Sequence, residues 1–380
     1  MLSRVSLLVL KYRLFAISIL VIMTASSVVA KRLVLIGGGH AHVQVIKSLN
    51  QASRPKHLHI TLIDSQKSAS YSGMVPGCIS GLYRPEDTLL HLRPLARWAG
   101  IDFINSRVVD IDVETNQIRL EGGGDLIKFD AVSVDIGSAS QGLTETKGAL
   151  EYTIPTRPIS DLVYRLEKET EELKKNPCSV EVVVIGGGAA GIELSMSVMG
   201  RWKPILGKDN IRITLLDSGD ELLPHESTSN RQALRRVLAE RGIEIRHGCY
   251  VDQVQKNCVR LTSGEEVSFT HCLLATGAGA HDLGFRLKER GLAVSDRGWI
   301  RVNQYLQSVS HPRVFAAGDC CTMEGLSNGG TPPKAGVYAV RSGPILIGKL
   351  ALSIIVKIVE FDAPDQDMFF LICQRISQSS

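Results

Sequence analysis

Two glycine turns carry the chemistry that this sequence can do. "KRLVLIGGGHAHVQVIKSL", Lys31 to Leu49, and "VEVVVIGGGAAGIELSMSV", Val180 to Val198, share one grammar: an aliphatic run, three glycines and the start of a helix. The first glycine, Gly37 or Gly186, permits a tight turn. The next, Gly39 or Gly188, lets the backbone approach a pyrophosphate that rests on the N–H groups of the helix N-terminus. An acid closing the following strand can accept a hydrogen bond from a ribose 2′-hydroxyl, and "ITLID" and "ITLLD" place Asp64 and Asp217 there. A lone glycine fingerprint is weak evidence, whereas two complete copies are specific. Gly191 is the third glycine of the second copy; His42 stands at that place in the first and should push the helix slightly away from the strand.

Two dinucleotide sites in one chain have a joint use, since a nicotinamide supplies hydride and a flavin accepts it. FAD and NADH are therefore the expected cofactors. No metal is expected. His40 and His42 look like a chelating pair, but positions i and i+2 on a helix point about 200° apart. The eight cysteines are scattered and none falls in a CxxC. Cys78 is alone in "YSGMVPGCISG", so a local dithiol relay is not available. Cys320 and Cys321 are adjacent, where a disulfide would be strained, and read as small buried side chains although a thiolate could be stabilised at such a turn.

The elements that must position these groups are parallel strands buried on both faces, which read as unbroken aliphatic runs such as "RLVLI" and "EVVVI". The expected fold is α/β, with two Rossmann-like doubly wound domains. A chain of 380 residues, 44% hydrophobic, is long enough for two or three domains. Its net charge of +4 is dispersed with no run of five like charges, so nucleic acid is not expected as a partner. Residues 1–30 read as a targeting or anchor segment: Arg4, Lys11 and Arg13 precede an apolar run from Leu14 to Met23 and then "TASSVVA". Cleavage as a secretory or organelle signal, retention as an anchor, and translation from Met23 to give a cytoplasmic protein all stay open.

"HPRVFAAGDC" ends a short strand in Gly318 and Asp319, and resembles the second FAD fingerprint of the two-dinucleotide flavoprotein reductases of the pyridine nucleotide-disulfide oxidoreductase superfamily. The resemblance covers roughly Lys31 to Leu350. It is strongest to a type II NADH dehydrogenase-like subgroup, including members fused to selenide, water dikinase, through "GGGHAH", "YSGMVPGCISGLY", "FDAVSVDIGS" and "KAGVYAVRSGP". It implies an NAD domain inserted in the FAD domain: 31–150 and 283–350 for FAD, 151–282 for NADH, and an incomplete tail at 351–380. By the same resemblance the first turn takes FAD, Asp319 bonds its ribityl chain, and Gly277 lies in the "ATG" strand returning from the NAD domain. His40 would lie near the pyrophosphate. Glu193, placed in the first turn of the second helix, would orient the nicotinamide beside the flavin, and Lys334 stands where quinone-reducing members carry an Ala-Gln pair. The implied activity passes hydride from NADH to FAD and on to a quinone or other small electron acceptor. A non-catalytic sensor or truncated remnant, and a sulfide:quinone reductase-like enzyme, are the alternatives. Lys349, Ser353, Lys357 and Glu360 form a polar stripe on an otherwise apolar helix, which docks on the FAD domain or lies on a membrane surface. The oligomeric state is not legible.

Overall fold

The computed structural model describes residues 30–325 and 332–355. The targeting segment and the end of the polar stripe, Lys357 and Glu360, lie outside these residues.

Two five-stranded sheets, each all parallel, repeat one wiring. In the first, β1 (Lys31–Ile36) pairs with β2 (Leu58–Asp64), and β2 with β3 (Asp102–Asn105). On its other side β1 pairs with β4 (Ala131–Val134). After β4 the chain leaves to build the second sheet. There β5 (Ile154–Pro155) is the outer strand, and β6 (Val180–Ile185) pairs with β7 (Ile211–Leu216), which pairs with β8 (Ile243–Arg246). On the other side of β6 lies β9 (His271–Leu274), which also pairs with β5. The chain then returns and adds β10 (Val314–Ala316) to the free edge of β4. Outgoing and returning passages touch: Ala139 and Ser140 pair antiparallel with Gly279 and Ala278. The second unit is thus inserted in the first.

The aliphatic runs are explained by what covers the sheets. Along β6, Val182 and Val184 enter one apolar cluster while Val183 and Ile185 enter another, because successive side chains point to opposite faces and both are buried. Helices α1 (His40–Ser48) and α5 (Ala189–Leu206) follow the two turns. The latter packs on α4 (Ile159–Lys175), where the buried Trp202 Nε1–H donates to Thr170 Oγ1 at 2.8 Å. The short helix α2 (Val75–Ile79) leans on both and brings Cys78 into their apolar cluster.

The last described helix, α7 (Gly336–Ile355), lies along α1. Helices α3 (Leu92–Ala99) and α6 (Thr228–Arg241) precede α4 and α7 in the chain. Pro344 sits inside α7 and has no N–H to give the Val340 carbonyl one turn back. Gln44 of α1 supplies the missing donor, its Nε2 reaching the Val340 oxygen at 2.7 Å. Gly343 makes that approach feasible, since a Cβ there would fall 2.5 Å from the Gln44 amide carbon. Of the expected polar stripe, Lys349 places its ammonium 3.7 Å from the ring centroid of Tyr305. Among the described residues no helix is long and apolar enough to cross a membrane.

Candidate dinucleotide sites

Both turns have the predicted backbone. Gly37 and Gly186 have φ of 91° and 118°, a region that glycine enters at no steric cost. A Cβ on either would overlap a carbonyl at the end of the neighbouring strand, that of Asp135 or Ala275. Gly39 and Gly188 are the N-caps of α1 and α5, and neither residue supplies a side-chain cap to its helix. A Cβ on Gly188 would meet nothing within 4 Å, which leaves an open approach to the head of α5. Both acids arrive on cue. Asp64 closes β2 and accepts from the Gly38 N–H at 2.6 Å; burial raises its carboxyl pKa. Asp217 follows β7, is 9% exposed and lies 3.2 Å from His247 Nδ1.

The third position separates the copies. A Cβ on Gly191 would overlap the Gly186 carbonyl, so the second helix packs against its strand as closely as backbone allows. In the first copy His42 fills that place, fully buried. Its Nδ1–H donates to the Gly37 carbonyl at 2.6 Å and its Nε2 accepts from Ser133 Oγ at 2.8 Å. This neutral tautomer is held because burial lowers the imidazole pKa to about 4. Histidine replaces close contact with a hydrogen bond to the same carbonyl.

A second difference was not foreseen. Ile36 pairs with Val134, and Ile185 with Leu274, so the residue after β4, Asp135, matches Ala275 after β9. Asp135 is 2% exposed. Its Oδ2 accepts from the N–H groups of Ala41 and His42 at 3.0 and 3.2 Å, at the head of α1. A Cβ on Gly39 would overlap its carboxylate, and one on Gly318 would come within 2.6 Å of its Oδ1. Asp135 is thus gripped between the two expected FAD fingerprints. Burial is the main cause that pushes its pKa up to about 7, with Asp319 and Asp64 adding to it. "FDAVSVDIGS" held the signal, an acid ending an aliphatic strand on the side where such folds bind ligands.

Asp319 follows β10. Its Oδ2 accepts from Ser138 Oγ at 3.2 Å and from the Arg157 guanidinium at 3.1 Å. Nothing local in the sequence pairs Arg157 with Asp319; the inserted topology does. His40, the first residue of α1, packs against Tyr71 with ring centroids 5.3 Å apart and the rings tilted by 42°, and its buried Nε2 has no hydrogen-bond partner among the described residues. An orphaned polar atom at the head of a helix suits a phosphate oxygen. The first turn therefore fits FAD, and the open head of α5 fits a second dinucleotide. Gly277, with φ 103°, follows β9 at the return passage.

The two expected catalytic residues lie apart. Glu193 is not in the first turn of its helix: α5 begins at Ala189, which makes Glu193 its fifth residue, exposed on a cavity of about 430 Å³ shared with Pro76, Leu82 and Arg241. Lys334 lies before α7. Its ammonium donates to the Cys321 carbonyl and sits 4.3 Å from the centroid of the Trp299 ring; burial lowers its pKa. Together with Gly318, Asp319 and Arg341 it lines a separate cavity of about 150 Å³. The cysteines among the described residues are free thiols. Cys78 is buried among apolar side chains, and burial raises its pKa. Cys320 and Cys321 are buried, both raised mainly by desolvation and the latter to about 12, so no thiolate forms there near neutral pH. Among the described residues no His, Cys, Asp and Glu cluster could hold a metal.

Two parallel sheets carrying one glycine turn each, with the second unit inserted in the first, are the frame of an oxidoreductase with two dinucleotide sites. The chain belongs to the pyridine nucleotide-disulphide oxidoreductase family, whose model matches residues 31–343. It is 22% identical to a probable NADH dehydrogenase of Dictyostelium discoideum, over 81% of this chain and 70% of the relative. It is also 22% identical to type II NADH:quinone oxidoreductase of Staphylococcus aureus, over 76% of this chain and 74% of the relative. The structure of NDH2 from Plasmodium falciparum in complex with NADH superposes with a TM-score of 0.67 at 18% identity, covering 78% of this chain and 65% of that one. This last likeness shows the fold. The relatives are enzymes, which does not favour the reading as a non-catalytic sensor.

Proposed function

We propose that the protein is an NADH dehydrogenase that passes electrons through FAD to a quinone or another small acceptor. One observation supports this above others: the glycine turn occurs twice, but only the first sheet is completed by a strand that leads into Gly318 and Asp319. FAD would be held by Gly37, Gly39, His40 and Asp64 from one side and by Gly318 and Asp319 from the other. NADH would be held by Gly186, Gly188, Gly191, Asp217 and Gly277. When bound, FAD supplies a ring that accepts two electrons from the nicotinamide and yields them to an acceptor.

The chain's own residues bind and orient. The head of α1 presents N–H groups to a pyrophosphate, and His40 adds a ring nitrogen. Asp319, braced by Ser138 and Arg157, holds an oxygen acceptor in place for a hydroxylated chain. Asp217 accepts from a ribose hydroxyl and repels a phosphate. Glu193 would orient the nicotinamide. Lys334 puts a positive charge near Asp319, where it would stabilise an anionic reduced ring. The domain division 31–150, 151–282 and 283–350 is part of this proposal, as is contact with a membrane surface through α7.

The test is an anaerobic titration of purified protein with NADH. Visible flavin absorbance that bleaches stoichiometrically is the expected result. Asp319→Ala should purify with less FAD. A colourless wild-type protein that takes up no added FAD would overturn the proposal.

A further inference from the structure

The two turns allow a comparison inside one molecule. Both heads, of α1 and of α5, offer N–H groups, and at α5 the residue facing them from the adjacent strand is Ala275. At α1 it is Asp135, whose carboxylate already accepts two of those N–H groups. A buried carboxylate there and a doubly negative pyrophosphate on the same helix head would repel each other in a low-dielectric space. The carboxylate cannot swing into solvent, because Gly39 and Gly318 close on it from both sides. A proton is the remaining way to remove the repulsion.

We propose that Asp135 takes up one proton from solvent when FAD binds, and that in the unliganded protein its carboxylate is an internal stand-in for the pyrophosphate. This rests on the reading of the first turn as the FAD site. The surroundings agree. Facing Asp135 are Asp64 at the end of β2 and Asp319 after β10, both acidic, with the un-ionised thiols of Cys320 and Cys321. On α1 it meets the amide of His42, whose ring is neutral, with His40 nearby at the head of the helix. The cations Arg157 and Lys334 are engaged elsewhere, Arg157 with Asp319 and Lys334 with the Cys321 carbonyl. No cation pairs directly with Asp135 among the described residues. The bound state would therefore favour the protonated acid. Its O–H becomes a donor toward the ligand, and its other oxygen, now a weaker acceptor, cedes the α1 N–H groups to the pyrophosphate.

The sign follows from linkage. A group that binds a proton more tightly in the complex makes affinity fall as pH rises above its free-state pKa, by up to about tenfold per pH unit for one proton. Apoprotein would be titrated with FAD from about pH 6 to about pH 8.5, following flavin fluorescence. Calorimetry in buffers of different ionisation heat would count protons. Wild type is expected to bind more weakly with pH above neutrality and to take up close to one proton per FAD. Asp135→Asn keeps an acceptor for the helix N–H groups and should show neither slope nor uptake. His40→Gln removes one pyrophosphate contact and should weaken binding at every pH, yet retain both slope and uptake, which separates Asp135 from the other titratable group at the helix head.

A flat profile without proton uptake in wild type that binds FAD overturns the proposal while leaving the FAD site standing. So does a slope that survives Asp135→Asn or disappears in His40→Gln. Wild-type apoprotein that binds no FAD at any pH overturns the FAD assignment and this proposal with it. If Asp135→Asn does not fold, proton counting in wild type and His40→Gln decides.

Discussion

Asp135 and His42 are joined through the His42 N–H and titrate in opposite senses. The folded-state pKa of Asp135 is raised from 3.8 to about 7, so its contribution is fully present below pH 3.8 and lost as pH rises to about 7. His42 is lowered from 6.5 to about 4, so its contribution is present above pH 6.5 and lost as pH falls to about 4. Each alone would tilt stability by up to about 1.4 kcal/mol per pH unit. Over the shared range, from about pH 4 to 6.5, the two slopes cancel. Urea unfolding of the apoprotein should thus vary little with pH there. Asp135→Asn should expose the histidine, with stability falling as the solution is acidified below pH 6.5. His42→Gln should expose the acid, with stability falling as pH rises toward 7. Parallel pH profiles for the three proteins would show that these groups do not titrate as placed. At the second site, Asp217→Ala should narrow the preference for NADH over NADPH, read as the ratio of kcat/KM values. Glycines, acids and their order were legible from sequence because a turn's backbone demands are local. Asp135 facing α1, and Arg157 reaching Asp319, were not, since each contact exists only once distant strands are in register.

Elements were legible in proportion to how far their burial is two-sided. The strand that opens the second turn declared itself because both of its faces are covered, one by helices and the other by three short antiparallel strands at 251–254, 258–261 and 266–268, which leaves no room for polar alternation. The start of α5 was misplaced relative to Glu193 because three consecutive glycines blur which residue is the cap. The pairing of α1 with α7 left no sequence trace, since a glutamine compensating for a proline in another helix is a tertiary event. Gln44→Leu removes the donor to the half-exposed end of α7 and should cost about 1 kcal/mol, because water satisfies the Val340 carbonyl in part. Gly343→Val should cost more, as it drives the two helices apart. Chemical denaturation measures both. Equal, negligible losses would mean that the helices are not held by this contact.

For the whole molecule, the electron path is a question of which side chains the two units bring together, and Cys78 is where it can be tested. This thiol of α2 is packed against α4 and α5, and among the described residues no second sulfur is paired to it. Cys78→Ser should retain at least about half of NADH-dependent quinone or ferricyanide reduction and lose about 1 kcal/mol of stability from the buried hydroxyl. Loss of turnover with flavin still bound would mean that the thiol takes part. The inserted wiring was legible only through the family resemblance, because no local pattern announces that β10 returns to an edge left open by β4. The return itself has an entropic consequence. Ala139 and Ser140 lie hydrogen-bonded beside Gly279 and Ala278, so the outgoing and returning passages run side by side. The cost of closing a loop grows only with the logarithm of its length, and here a folded body spans the loop and fixes its ends side by side. To the first sheet, the whole second unit is thermodynamically little different from a tight hairpin turn.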